Sequence, residues 1–139
     1  TPFWWAYSGY LNDNIFTNQN KSIARFVNEI PWAKLTGLSR IENINGGKNA
    51  FAIESNQLIY GWIANPESDV TNAEIKINTT NANDKYTLRL FHTWRGQFLS
   101  DMEVKSINGT VTFTIPTLKI EGGQSRYIGQ DVAFILEKK

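Results

Sequence analysis

From about residue 37 onward the chain repeatedly reads apolar, polar, apolar, polar, and this period of two constrains its fold more than any other feature. Ala73-Glu74-Ile75-Lys76-Ile77 and Val111-Thr112-Phe113-Thr114-Ile115 alternate without a break. Successive side chains of an extended strand leave on opposite faces, so such segments bury one face and wet the other, as antiparallel sheets do. Runs rich in Ile, Val, Phe and Thr recur at 38–44, 48–55, 57–64, 72–78, 85–93, 97–105, 109–116 and 130–137. Turn-forming residues divide them: Gly46-Gly47, Ser55-Asn56, Asn65-Pro66, Asn81 to Asp84, Arg95-Gly96, Asn108-Gly109 and Gly122-Gly123. Asn108-Gly109 carries the strongest hairpin signal, because both central residues of a type I′ turn need positive φ. These eight runs predict a mainly β protein, an antiparallel two-sheet β-sandwich, with a barrel as the alternative closure.

The first 33 residues follow a different period. After the cluster Phe3, Trp4, Trp5, Tyr7 and Tyr10, apolar residues fall at Phe16, Ile23, Phe26, Val27 and Ile30, with Asn18, Gln19, Lys21 and Arg25 on other faces. This spacing predicts an amphipathic helix over 14–29, with Asn12-Asp13-Asn14 as its cap region and Pro31 as its stop. The chain therefore divides into an aromatic-rich leader and helix, 1–33, and a β-domain, 34–139. Its length of 139 residues is enough for one self-sufficient core.

Charge and composition exclude several functions. Fourteen Lys and Arg against thirteen Asp and Glu leave a net charge of +1, too small a field for a dedicated nucleic-acid binder or for attraction to an anionic membrane. There is no cysteine and only one histidine, His92, so disulfides, thiol catalysis, Cys-based metal centres and multi-histidine sites are all ruled out. No run approaches the ~18 apolar residues of a membrane span, and Thr1 to Tyr10 does not read as a signal peptide. Because the chain starts without Met, it is expected to be a mature or trimmed segment of something longer. The carboxylates are scattered, no nucleophile-elbow, phosphate-loop or dinucleotide motif is present, and His92, beside an apolar strand, is expected to be structural. No cofactor is expected. Calcium has the one ligand set on offer, Asn65, Glu67 and Asp69 at alternate positions, which falls short of a full EF-hand set.

The aromatics are more informative. They make up 13 % of the residues, five of them Trp, and Asn occurs fifteen times, a mixture that suits an extracellular β-domain. A sugar ring has an apolar C–H face and a hydroxyl rim, so a flat exposed aromatic beside Asn, Gln or Arg makes a natural platform for it. Tyr60 and Trp62 in Tyr60-Gly61-Trp62-Ile63-Ala64-Asn65, and Trp94, Arg95 and Gln97 at a strand end, are the candidate carbohydrate contacts on that basis.

Four segments, in order, resemble the C-terminal region of secreted bacterial glycoside hydrolases built as a (β/α)8 barrel followed by a small β-sandwich. Pro2 to Tyr10 with Asn14-Ile15-Phe16 and Ile23 to Trp32 is similar to the last barrel strand and helix. Tyr60 to Asn65, Tyr86 to Gly96 and Gln130 to Leu136 are similar to strands of the accessory sandwich. Val132 stands where that pattern commonly has Trp, and His92 where it has an acidic or tyrosyl residue. The resemblance implies a non-catalytic accessory module of a polysaccharide-degrading enzyme, working outside the cell, in the periplasm or at the cell surface. Its partners would be the catalytic barrel of the same parent protein and polysaccharide, with no nucleic acid and no membrane. Trp4 or Trp5 would correspond to an aromatic lining the sugar site of the parent barrel, whose acid and nucleophile carboxylates lie on earlier strands. Two alternatives stand beside it: a part of an active hydrolase that contributes residues to a sugar site, and a protein-interaction or adhesion β-domain.

Overall fold

The computed structural model describes residues 14–46, 49–65, 73–93, 95–99, 101–116 and 130–139. Among them are one helix, α1 (Asn14–Asn28), a 3-10 turn at Trp32–Lys34, and ten strands. The strands are β1 (Ser39–Ile41), β2 (Ile44–Asn45), β3 (Asn49–Glu54), β4 (Leu58–Asn65), β5 (Glu74–Asn78), β6 (Lys85–His92), β7 (Gln97–Phe98), β8 (Met102–Ile107), β9 (Thr110–Thr114) and β10 (Gln130–Lys138). The protein is thus mainly β, as the alternation predicts.

All pairings are antiparallel and link the strands into one ten-stranded sheet of order β1-β3-β4-β10-β6-β8-β9-β5-β2, with β7 pairing to β6 off this path. The two edges of the sheet, β1 and β2, are separated in the chain only by Glu42 and Asn43. That short link keeps the two edges close in the chain, and the sheet is nearly barrel-shaped. The expected division into two sheets is not what is seen, because the ladder runs on through β8: Met102–Lys105 pair with β6, while Ser106 and Ile107 pair with β9. Two of the expected runs also split. The run at 38–44 becomes β1 and β2 on opposite edges. The run at 97–105 becomes β7, opposite Phe91 and His92, and β8, which rejoins β6 at Leu88.

Alternation explains which side chains fill the interior. Ile59 and Ile63 of β4, Ile75 and Ile77 of β5, Leu88 and Leu90 of β6, Val111 and Phe113 of β9 and Val132, Phe134 and Leu136 of β10 all point inward and are buried together. Strand β10 reads as an unbroken apolar run, Val132 to Leu136, because its other face is covered as well. Ala133 and Ile135 lie under α1 in a second cluster with Phe26, Ile30, Leu58 and Phe91. Asn108 and Gly109 adopt φ of 50° and 79°, the mirror-image turn that their dipeptide predicts between β8 and β9.

The helix ends at Asn28, one residue before the expected boundary, and closes with Glu29 N–H donating to the Phe26 carbonyl and Ile30 N–H to that of Val27. It packs on the outer face of the sheet. Phe26 and Ile30 are buried there, whereas Ile23 and Val27, which belong to the same expected apolar stripe, remain exposed. The Phe16 side chain and the Asn12-Asp13 part of the expected cap lie outside the described residues.

Candidate functional site

The outer face of β3 and β4, beside α1, carries the accessible aromatics. Strand parity sends Leu58, Tyr60 and Trp62 outward from β4, and antiparallel register sets Ile53 opposite Tyr60 and Phe51 opposite Trp62. The Trp32 ring stands edge-on to Tyr60 at 5.3 Å, and its indole N–H donates to the Val27 carbonyl at 2.9 Å. Trp32 is therefore held at both ends, yet it stays 47 % exposed, as does Phe51, with Ile23 at 49 % and Val27 at 38 %. Tyr60 and Trp62 are half-buried between them, and burial raises the pKa of the Tyr60 phenol.

The two sides of α1 differ in chemistry. On the side toward β6, the Ser22 hydroxyl donates to the Thr93 carbonyl, Arg25 Nη1 donates to the Gly96 carbonyl at 2.8 Å, and Arg89 Nη2 donates to Glu29 Oε2 at 3.0 Å. The Arg89 guanidinium also lies 4.1 Å over the Phe98 ring. At 100° per residue, Ile23 and Val27 fall on the opposite side, toward β4 and β3. One flank of the helix is thus tied down by polar contacts and the other leaves Ile23 and Val27 exposed.

The candidate contacts do not converge. Tyr60 and Trp62 share the β4 face. Arg95 and Gln97 are exposed around the β6–β7 turn, and Gln97 pairs with His92 in the ladder. Phe26 of the helix lies between the two groups, 6.4 Å from the Trp62 ring on one side and 6.4 Å from the Phe98 ring on the other. Trp4, Trp5 and Trp94 lie outside the described residues. So do Glu67, Asp69 and the side chain of Asn65, which ends β4, so the calcium set is not described. Among the described residues no three His, Cys, Asp or Glu side chains converge as a metal site. His92 is buried and its Nδ1 accepts from the Arg95 backbone N–H at 3.4 Å.

Trp62 has a structural tie. Its indole N–H and the Thr93 hydroxyl both donate to the Asp131 carboxylate, the latter at 2.5 Å. Burial nevertheless outweighs these bonds and raises the Asp131 pKa above the ordinary 3.8. A folded-state pKa above the unfolded value means that the native state holds this proton more tightly. The corresponding stability is full below the ordinary value and is lost as pH rises through the raised one. Asp131→Asn keeps an acceptor for Trp62 and Thr93 without the charge, so it should raise Tm at pH 7, and the gain should disappear at pH below the ordinary aspartate range. Paired thermal melts across that range check it.

The sequence reading missed Trp32 and Phe51 as surface aromatics. Parity would have placed Phe51, since a strand that turns Ala50 and Ala52 inward must turn Phe51 outward. Trp32 gives no such sign, because only the packing of the 3-10 turn against Tyr60 fixes it. No described helix is long and apolar enough to cross a membrane. No model of a known protein family matches the chain, and no curated protein matches it in sequence.

Proposed function

We propose that this chain is a non-catalytic accessory β-module of a secreted bacterial, polysaccharide-degrading glycoside hydrolase. It packs on the catalytic (β/α)8 barrel of the same parent protein and contacts glycan. In this reading the rolled sheet is a flattened two-layer sandwich, β1-β3-β4-β10-β6 facing β9-β5-β2, and α1 is an amphipathic helix whose second apolar flank meets the barrel. The observation that carries the reading is the set of exposed apolar side chains around Tyr60 and Trp62: Trp32 stands edge-on to Tyr60 and donates to the Val27 carbonyl, Phe51 is opposite Trp62, and Ile23, Val27, Trp32 and Phe51 are all exposed. Exposed apolar surface of this kind marks an interaction site. The ties of four of the described carboxylates also support it, since they hold the fold together. Glu54 accepts from the Thr80 N–H and hydroxyl, Asp131 from Thr93, Glu29 from Arg89, and Asp84 pairs with Lys138.

The module works outside the cell or in the periplasm, where polysaccharide is met. Incubated alone with plant and algal polysaccharides, the purified chain should release no reducing ends, while the parent protein that contains it should. Reducing-end release by the chain alone, abolished by a Glu or Asp substitution, would show that it is itself the enzyme.

A further inference from the structure

The geometry points to a second glycan contact that none of the sequence candidates includes: a pocket at the foot of the sheet that takes one neutral sugar unit of a polysaccharide chain. This deepens the glycan-contacting half of the proposed function and rests on it. The pocket has a volume of about 300 Å³ and is lined by Pro31, Asn56, Gln57, Leu58 and the strand end Glu137 to Lys139. That volume is at the small end for ligand sites, the size of a single ring rather than an extended ligand.

The pocket is built on rigid elements. The Ser55 hydroxyl donates to the Leu58 carbonyl at 2.8 Å and accepts from the N–H groups of Leu58 at 3.1 Å and Gln57 at 3.3 Å. Asn56 is fixed by two bonds to Thr36, its N–H donating to the Thr36 carbonyl and its Oδ1 accepting from the Thr36 N–H, each at 3.0 Å. Lys138 N–H donates to the Gln57 carbonyl at 2.9 Å and seals the turn to β10. The backbone of the pocket wall and the Asn56 side chain are thus ordered before any ligand arrives, which reduces the entropy cost of binding.

Chemistry then selects the ligand. Pro31 and Leu58 offer an aliphatic surface for the C–H face of a pyranose. The Gln57 carboxamide and the Glu137 carboxylate take no hydrogen bond from the described side chains, and planar groups of this kind suit adjacent hydroxyls. Charge disfavours acidic sugars. Lys138 Nζ is held by Asp84 Oδ2 at 2.5 Å and Lys139 Nζ by Glu103, so Glu137 is the uncompensated charge of the rim. A uronate or sulfated unit would meet a carboxylate with both ammonium groups already engaged.

The test is a titration of the isotope-labelled chain with cellohexaose, xylohexaose, mannohexaose and, as an acidic control, hexagalacturonate, followed by amide and carboxamide chemical shifts. At least one neutral hexasaccharide should shift Asn56, Gln57 and Glu137 to Lys139. Gln57→Ala and Glu137→Ala should each weaken that binding about tenfold, the loss of one good hydrogen bond, and Phe51→Ala should leave it unchanged. Shifts centred on Phe51 and Trp62 that ignore Gln57→Ala would overturn the pocket and keep the glycan contact. Tighter binding of hexagalacturonate would overturn the charge argument and the pocket with it. No shift with any hexasaccharide would overturn the pocket and the glycan contact together, leaving barrel packing to its own measurement.

Discussion

Phe134→Ala should lower the unfolding free energy by about 4 kcal/mol, the upper part of the range for a fully buried phenylalanine truncated in a packed core. Phe134 sits in the middle of β10, completely buried, with the Phe113 ring 5.6 Å away across the interior. It lies directly over Gly61, its partner in the ladder between β4 and β10. A Cβ built on Gly61 would come within 2.4 Å of the Phe51 carbonyl oxygen and 2.6 Å of Phe134 Cζ. The bare glycine is therefore the seat of the ring, and Gly61→Ala should cost about 3 kcal/mol, near the top of the overpacking range, because the backbone oxygen cannot swing aside as a side chain would. The two changes should not add. Once Phe134 is truncated, one of the two obstacles to a Cβ at position 61 is gone, and the double variant should be more stable than the sum of the single losses predicts. Urea melts of the four proteins measure the coupling.

Phe26→Ala should cost about 3 kcal/mol, and most of that loss should fall on the helix. Among the described side chains of α1, Phe26 joins both halves of the outer cluster, tilted on Phe91 at 5.4 Å, edge-on to Trp62 and stacked with Phe98. Without it α1 would keep the Ser22 bond to the Thr93 carbonyl and the exposed Arg25 and Arg89 ties, the last two worth little in water. Amide exchange in α1 should accelerate sharply while the inward-facing ladder of β4, β10 and β6 stays protected. Ile23→Ala, on the uncovered flank of the same helix, should change the stability of the isolated chain by less than about 0.5 kcal/mol. A helix that survived Phe26→Ala but melted with Ile23→Ala would mean that the buried face has been misassigned.

Local rules made much of this fold readable. Strict alternation located β5 and β9, Asn-Gly located the turn between β8 and β9, and the helical period located α1 to within a residue of its C-terminus. What escaped was long-range. No local signal says that 38–44 must divide between two edges of one sheet, since that depends on the sheet rolling nearly into a barrel. The same closure explains the join at β8, where a strand that reads as continuous changes partner between Lys105 and Ser106. At the site, composition drew attention to the tryptophans, yet Trp62 spends its N–H on Asp131 and one ring edge on Phe26. The more exposed aromatics are Trp32 and Phe51, one fixed by a turn and the other by strand parity. The pocket around Gln57 joins a helix end, a hairpin turn and a strand end, and residues separated by 80 positions in sequence leave no common motif.

The central claim is that the apolar flank of α1 and β3 is covered by the catalytic barrel of a parent protein. Hydrogen exchange compares the 139-residue chain with the full-length protein encoded by its gene. Amides of Val27 to Ile30, of Trp32 and of Ala50 to Ile53 should exchange more slowly in the full-length protein, and Trp32→Ala with Phe51→Ala should abolish the difference. Equal exchange in the two proteins, or a gene that encodes no barrel beside this segment, would contradict the account.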